Sequence, residues 1–487
     1  TCCKIMKNFS KKTIKFPNSK IKNFQQFPLD LIKIKKQIGT KNHSMELGIS
    51  QNLFKKLKSV SEKSSKLLLP KNSSIGETSK NVLIIEFDPI KYQSFFKQMQ
   101  DSELNFLIYN RRRPTIWNFQ SYNLVKKSGC FVETENSLSN ASLKKIISNG
   151  RFQMETKISD LFSKENFFKS FFSIEGISFW PTFKELFQAY FRKRALEFIE
   201  EIELTKKLLE KYNFSSILIL SEAGPNERIV LQLAHQKQIS VCLVQHGIYY
   251  DSKESYDMNV AKGALPIKSD HFLCWGKITK EFAQNMGIKP EKVHSVGSPI
   301  FDRLRFDEQN SSKNDYVLLA TASPTKEEAS DLTVEIIEKY MNAIKKICQL
   351  ATKYNKKLII KTHPSPDEFD PSFIAKQINS KIKVIKDWRK ISPLIQSCGL
   401  VIVVDFTSVM LDAHLLGKPV IALRLKYYDR GIMAAFKNNS CLVTDIEKLD
   451  DDLKSVLNNE HVRKQLIING TNQPKNTYLT KITVLKN

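Results

Sequence analysis

Four places in this 487-residue chain put a polar side chain able to move a proton or hold an anion just after a short aliphatic run. Glu222 follows Ile217–Leu220, and His246 with Gly247 follows Val241–Val244. His363 with Pro364 follows Lys357–Lys361, and Asp405, Thr407 and Ser408 follow Leu400–Val404. A carboxylate or an imidazole suits a general base, because removing a hydroxyl proton must coincide with attack on an electrophilic carbon or phosphorus and needs a pKa near working pH. Thr407 and Ser408 open a helix pattern, where free N–H groups and the positive dipole end favour a phosphate; an ordinary N-cap uses the same residue types. The loop from Thr321 to Thr325, which includes Ser323, is a second polar rim of this kind. His363, extended by the proline after it, could donate to a departing phosphate or bind a diphosphate.

These residues need a scaffold that brings strand ends together. From Asn81 onward, short apolar runs alternate with helical patterns: Val82–Phe87, Ile90–Met99 and Leu104–Tyr109 read as strand, helix and strand, with a basic turn at Arg111, Arg112 and Arg113. This is βαβ grammar and predicts parallel sheets with helices on both faces, whose ligands bind at the carboxyl ends of the strands. Further strands are expected at His271–Trp275, Val293–Val296, Tyr316–Ala320, Ile382–Ile385 and Val420–Leu423, the last restarted by the turn Gly417-Lys418-Pro419. A long helix is expected from Phe183 to Tyr212, its stripe of Phe187, Tyr190, Phe191, Ala195, Phe198, Ile202 and Leu209 reading as core packing. A polar linker near Arg305–Lys313 separates two domains, 81–305 and 306–487, each a Rossmann-like α/β layer, with the ligand site expected in the cleft between them.

Charge is distributed unevenly. Lys and Arg total 76 against 50 Asp and Glu, a net +26, and residues 1–80 alone hold 18 lysines against four acids. Lysine-rich and poor in apolar residues, 1–80 reads as a mobile basic tail that could hold the chain to an anionic lipid surface. Biased coding explains the same lysines equally well, and with only 13 arginines in the chain no specific nucleic-acid partner is expected. The eight cysteines are scattered with no CxxC pair, which predicts a reducing cytoplasmic setting and no structural zinc. No signal peptide is read at the N-terminus, Cys2 and Cys3 are taken as ordinary thiols, and no apolar run approaches the length of a membrane span.

Lys361-Thr362-His363-Pro364, Asp405-Phe406-Thr407-Ser408, Leu411-Asp412-Ala413 and Gly417-Lys418-Pro419-Val420-Ile421, preceded by Val244-Gln245-His246-Gly247 and Val296-Gly297-Ser298-Pro299, form an ordered set. Over roughly residues 210–445 it resembles GT-B glycosyltransferases of surface polymers, above all the CDP-glycerol glycerophosphotransferases and the capsule and polysialic acid transferases. The resemblance implies two Rossmann-like domains around a nucleotide-activated donor, no metal or other cofactor, and a surface-polymer or lipid-linked acceptor at the cytoplasmic membrane face. Carried over, His363 stabilises the donor phosphate or acts as acid on the leaving group. Thr407 and Ser408, joined by Thr321, Ser323 and Ser298, bind that phosphate. His246, preferred over Glu222, is the base, and Asp405, Gly247, Pro364 and Lys418 support the site. Ile248-Tyr249-Tyr250-Asp251 and Ile300 stand where the glycerophosphotransferases carry a small residue, a Lys and an Arg, so a nucleotide sugar is the expected donor.

Two other readings fit parts of the pattern. A UDP-N-acetylglucosamine 2-epimerase shares the architecture and the His-Pro and Gly-Lys-Pro-Val elements, but Arg424, Tyr427 and Arg430 follow the turn without a nearby Glu. A non-catalytic polyanion-binding protein would use the lysines of 1–80 and need neither His246 nor His363.

Overall fold

The structure, a computed structural model, describes residues 31–38, 43–69, 80–247, 260, 263–301, 316–321, 334–363, 369–386, 391–405, 407–425 and 440–471. Leu31–Ile38 (β1) pairs antiparallel with His43–Ser50 (β2), and the helix Gln51–Leu68 follows. Part of the expected tail is therefore regular structure. Lys58 and Glu62, one helical turn apart and nearly excluded from solvent, pair at 2.7 Å, and Ser59 exchanges a hydrogen bond with Asn136. Composition could not report this, because the helix is anchored by a segment 77 residues further along the chain.

Asn81–Ile85 (β3), Asn105–Tyr109 (β4) and Phe131–Glu133 (β5) come next. The helices Ala141–Ser163 and Glu165–Phe171, a hairpin of Ser173–Ile174 (β6) and Ile177–Ser178 (β7), and the long helix Trp180–Lys211 then intervene. Phe214–Ile219 (β8), Ser240–Val244 (β9), His271–Cys274 (β10) and Val293–Ser295 (β11) complete a seven-stranded parallel sheet ordered β11-β10-β9-β8-β3-β4-β5. Val317–Ala320 (β12), Leu358–Lys361 (β13), Lys383–Ile385 (β14), Leu400–Val404 (β15), Val420–Leu423 (β16) and Leu442–Thr444 (β17) form a second parallel sheet, ordered β14-β13-β12-β15-β16-β17.

Every residue of β3 and β15 is buried, as expected of parallel strands covered by helices on both faces. Alternation along the strands divides the packing: Leu319 and Ile402 join the core around the helix Val334–Lys353, while Leu318, Val401 and Val403 join the one on the opposite face. In each sheet the strand order reverses once, between β3 and β8 in the first and between β12 and β15 in the second. Such switch points open a crevice at the carboxyl ends of the strands.

The chain divides into two compact units, residues 1–67 with 136–204 and residues 68–135 with 205–487, and both parallel sheets lie in the second. Within that second unit Trp275 and Phe301, edge to face at 5.1 Å, pack against cores of both sheets. The long helix departs from its expected stripe. Leu204, Leu208 and Leu209 are buried, but Tyr190 and Phe191 are 48% and 36% exposed, so only part of that face is core. Among the described residues, no helix is long and apolar enough to cross a membrane.

Candidate functional site

At the first switch point the chain leaves β3 through Glu86, a buried residue in the left-handed region with φ 61°. That conformation costs energy for an L-residue and persists where surrounding contacts fix it. Here Glu86 Oε1 accepts the backbone N–H groups of Arg111 (2.7 Å) and Arg112 (3.1 Å) and the side-chain amide of Asn226 (2.8 Å). Glu86 Oε2 lies 3.4 Å from Arg112 Nε, and the other arm of the same guanidinium pairs with Glu227 on the helix Pro225–Gln236. Burial raises the Glu227 pKa, Arg112 opposes the shift, and Glu86 adds to it. Arg113 pairs with Asp88 at 3.2 Å and Arg111 with Glu135 at 2.7 Å. The basic turn is thus neutralised by four carboxylates rather than left open to an anion. Glu86 and Glu227 were missed in the sequence because their partners lie far along the chain, in the turn after β4 and on the helix Pro225–Gln236; a Glu just past a buried strand and one in the first turn of a helix were the available signals.

His246 stands one strand further, at the end of β9. Burial pushes its pKa below the ordinary 6.5, the Lys91 charge adds to this, and the Leu220 carbonyl opposes it. Its Nδ1, shielded from solvent, has no hydrogen-bond partner among the described residues. The neighbouring Gln245 fixes this turn: its Nε2 donates to the Gly247 carbonyl (2.8 Å), its Oε1 accepts from the Trp275 backbone N–H (2.7 Å), and Trp275 Nε1 donates to its carbonyl (3.0 Å). A neutral imidazole on a turn locked from both sides has the form a general base needs.

Glu222, at the end of β8, is differently occupied. Its carboxylate accepts the backbone N–H groups of Lys268 (3.1 Å to each oxygen) and Ser269 (2.7 Å), and its own N–H donates to the Gly263 carbonyl at 2.8 Å. Gly263, at φ 63°, lies so close that a Cβ there would sit 2.1 Å from the Ala223 nitrogen. This geometry makes Glu222 a clasp for residues 263–269. Ser298 lies just past β11, on the outer strand of this first sheet, its shielded hydroxyl without a partner among the described residues.

The second switch point has another character. Thr321 leaves β12, its N–H donating to the Lys361 carbonyl at 3.1 Å, and Thr407 and Ser408 leave the adjacent β15. The Ser408 side chain makes no capping bond, and Thr407 Oγ1 receives only a long 3.5 Å contact from Val409 N–H. Asp405, at φ 55°, accepts the Leu425 N–H at 3.0 Å and so positions the chain on both sides of the loop. His363 is exposed at the end of β13, next to β12, behind the buried Lys361 and Thr362. Ser323 and Pro364 lie outside the described residues. Lys418 belongs elsewhere. It precedes β16 at the amino ends of the strands, where burial and Arg463 lower its pKa, the Cys398 thiol opposing, and where Arg463 donates to the Gly399 carbonyl (2.9 Å). It lies at the opposite end of the strands from the crevice. Among the described residues, no three His, Cys, Asp or Glu side chains are grouped to hold a metal ion.

A family model described as "LIC12162 family transferase" matches residues 4–429. No curated protein matches the sequence. Among solved structures, the S. aureus MnaA-UDP co-structure is similar to 83% of this chain over 95% of its own, at 11% identity and a TM-score of 0.51. UDP-GlcNAc 2-epimerase from Neisseria meningitidis, bound to UDP-GlcNAc, is similar to 84% of this chain over 99% of its own, at 13% identity and a TM-score of 0.51. Identities this low establish the fold alone: two Rossmann-like parallel sheets of the GT-B type.

Proposed function

We propose, because the chain belongs to the LIC12162 family of transferases, that it carries a glycosyl group from a nucleotide-activated donor to a hydroxyl of a surface-polymer or lipid-linked acceptor. The observation that carries this reading is the pairing of a base-bearing crevice in the first sheet with a hydroxyl-lined crevice in the second. In this reading His246 takes the acceptor hydroxyl proton as its oxygen attacks the anomeric carbon. The bond from that carbon to the donor diphosphate breaks, and the diphosphate leaves with the bonding electrons. Thr407, Ser408 and Thr321 donate hydrogen bonds to it, and His363 supplies a proton or a positive charge. These groups, rather than a metal ion, carry the leaving-group charge, at the cytoplasmic face of the membrane.

A UDP sugar is the donor this reading favours, since two of the similar solved structures are described with UDP or UDP-GlcNAc. Kinship to the CDP-glycerol and capsule transferases belongs to the same proposal, with Ile300 in place of an Arg arguing for a sugar over glycerophosphate. An epimerase reading rests on the fold of the same neighbours. Incubation with UDP sugars separates the two: a transferase releases UDP only when an acceptor polymer is added, whereas turnover of UDP-N-acetylglucosamine alone into its 2-epimer would overturn the transferase assignment. Protection against thermal unfolding by one UDP sugar over others identifies the donor, because binding to the native state raises stability by mass action.

A further inference from the structure

Lys418 stands at the amino ends of the second sheet's strands, in the turn between the helix Val409–Leu415 and β16, and is only 7% exposed. A lysine is almost never buried so far without a partner, because its charge loses the solvation of water. Among the described residues the Lys418 ammonium makes neither an ion pair nor a hydrogen bond.

A second cation reaches the same place. Val401 pairs with Val420, and the Val401 N–H donates to the Pro419 carbonyl at 3.1 Å, so Gly399 and Lys418 lie at matching positions, two places before that pair. Arg463, on the helix Glu460–Thr471, donates from Nη2 to the Gly399 carbonyl at 2.9 Å. That bond accounts for Arg463, since a cation is favoured where the helix Ser392–Ser397 ends. It does not account for Lys418, whose charge Arg463 opposes. The neighbouring thiol offers no compensation: Cys398 Sγ donates to the Ile395 carbonyl at 3.2 Å, and burial pushes its pKa up to about 12, which keeps it neutral. Glu460, an acid within reach of the Arg463 charge, is exposed and paired with Lys464 at 2.9 Å.

We infer that Lys418 and Arg463 hold a phosphate dianion at this pole, the ammonium and the remaining N–H groups of the guanidinium donating to its oxygens. Charge selects the ligand. Two cations with no carboxylate between them are neutralised by one dianion, whereas chloride or a single carboxylate leaves one charge over. The anion would tie the turn before β16 to the helix Glu460–Thr471, and this site lies at the other end of the strands from Thr407 and Ser408. The inference stands independently of the transfer reaction, because it needs neither donor nor acceptor.

The test is thermal unfolding of the full chain at about pH 8, where phosphate is a dianion, in potassium phosphate and in potassium chloride of equal ionic strength. Phosphate should raise the midpoint saturably, by about 2 °C or more. Glycerol 3-phosphate, run in parallel, identifies the source: a rise with inorganic phosphate alone marks the free ion, a rise with both marks a phosphate monoester, and either supports the site. Lys418→Met and, separately, Arg463→Gln should abolish the rise. In chloride Lys418→Met should be no less stable than wild type, since it removes a buried charge that has no partner. Thr407→Val with Ser408→Ala should keep the rise. Hydrogen exchange on the wild-type chain decides the matter even if a variant misfolds: phosphate should slow the amides of residues 399–401 and 418–420. The inference is overturned by equal midpoints in the two salts, by a rise that survives both Lys418→Met and Arg463→Gln, by loss of the rise in the Thr407→Val, Ser408→Ala variant, or by protection confined to residues 405–411.

Discussion

The two switch-point crevices share one architecture and opposite chemistry. In the first sheet, ionisable groups are locked to each other: Glu86, Arg112 and Glu227 form one chain of charge, Arg113 holds Asp88, and His246 is kept neutral by burial and by Lys91. In the second, the residues at the reversal are hydroxyls, Thr321, Thr407 and Ser408, with Asp405 occupied by a backbone amide. A crevice whose charges are internally balanced can tune one proton without attracting anions. One lined with hydroxyls offers hydrogen bonds to an anion. The difference teaches that an open α/β sheet fixes where a site forms, while the partners of the strand-end residues decide what it does.

The most severe break of this contrast is His246→Asn. Loss of a general base should lower transfer about 10²–10⁴-fold while the melting shift produced by donor is unchanged. The sign of the pH dependence follows from the same residue. The neutral imidazole is the active form and its pKa is lowered from 6.5, so kcat/KM should be flat above that value and fall only at lower pH, through an acid limb displaced downward. His246→Asn should abolish that limb. Thr407→Val with Ser408→Ala attacks the other crevice: losing two hydrogen bonds to a charged group should weaken donor binding by about 3 kcal/mol, read by calorimetry, without moving the acid limb. Arg112→Met leaves Glu86 and Glu227 facing each other without their shared cation. Because Arg112 is half-exposed, the expected loss is about 2 kcal/mol rather than that of a fully buried pair, and denaturant unfolding measures it. Smallest is Glu222→Gln. A carboxamide keeps one acceptor oxygen for the amides of Lys268 and Ser269, so stability should fall by about 1 kcal/mol with transfer retained. Complete loss of transfer in that variant would return Glu222 to the role of base.

Much of the scaffold is legible in the sequence. Buried parallel strands are uninterrupted aliphatic runs, so Val241–Val244 and Leu400–Val404 announce themselves, and the polar residue after each run marks a crevice. His246, Thr321, Thr407 and Ser408 were accessible by that rule. Glu86, Glu227 and Gln245 were not, since what distinguishes them is a bond to Arg112, Asn226 or Trp275, between 26 and 140 residues away. Glu222 illustrates the converse: correct placement at a strand end, with its oxygens consumed by amides 46 and 47 residues further on. Lys418, given to the site by the resemblance, sits in a turn between helix and strand at the amino ends of the strands, a placement that depends on strand direction and not on the motif. The helix Gln51–Leu68 was hidden by its lysines, since composition registers charge and not the distant segment that anchors it.

Trp275 has a use beyond structure. Its indole donates to the carbonyl of Gln245, its ring meets Phe301, and both rings rest on the cores of the two sheets. With only four tryptophans in the chain, its fluorescence is a built-in optical gauge. The indole is hydrogen-bonded to Gln245, the residue before His246, so a change at that turn on adding a nucleotide should be readable in the emission in real time without a dye.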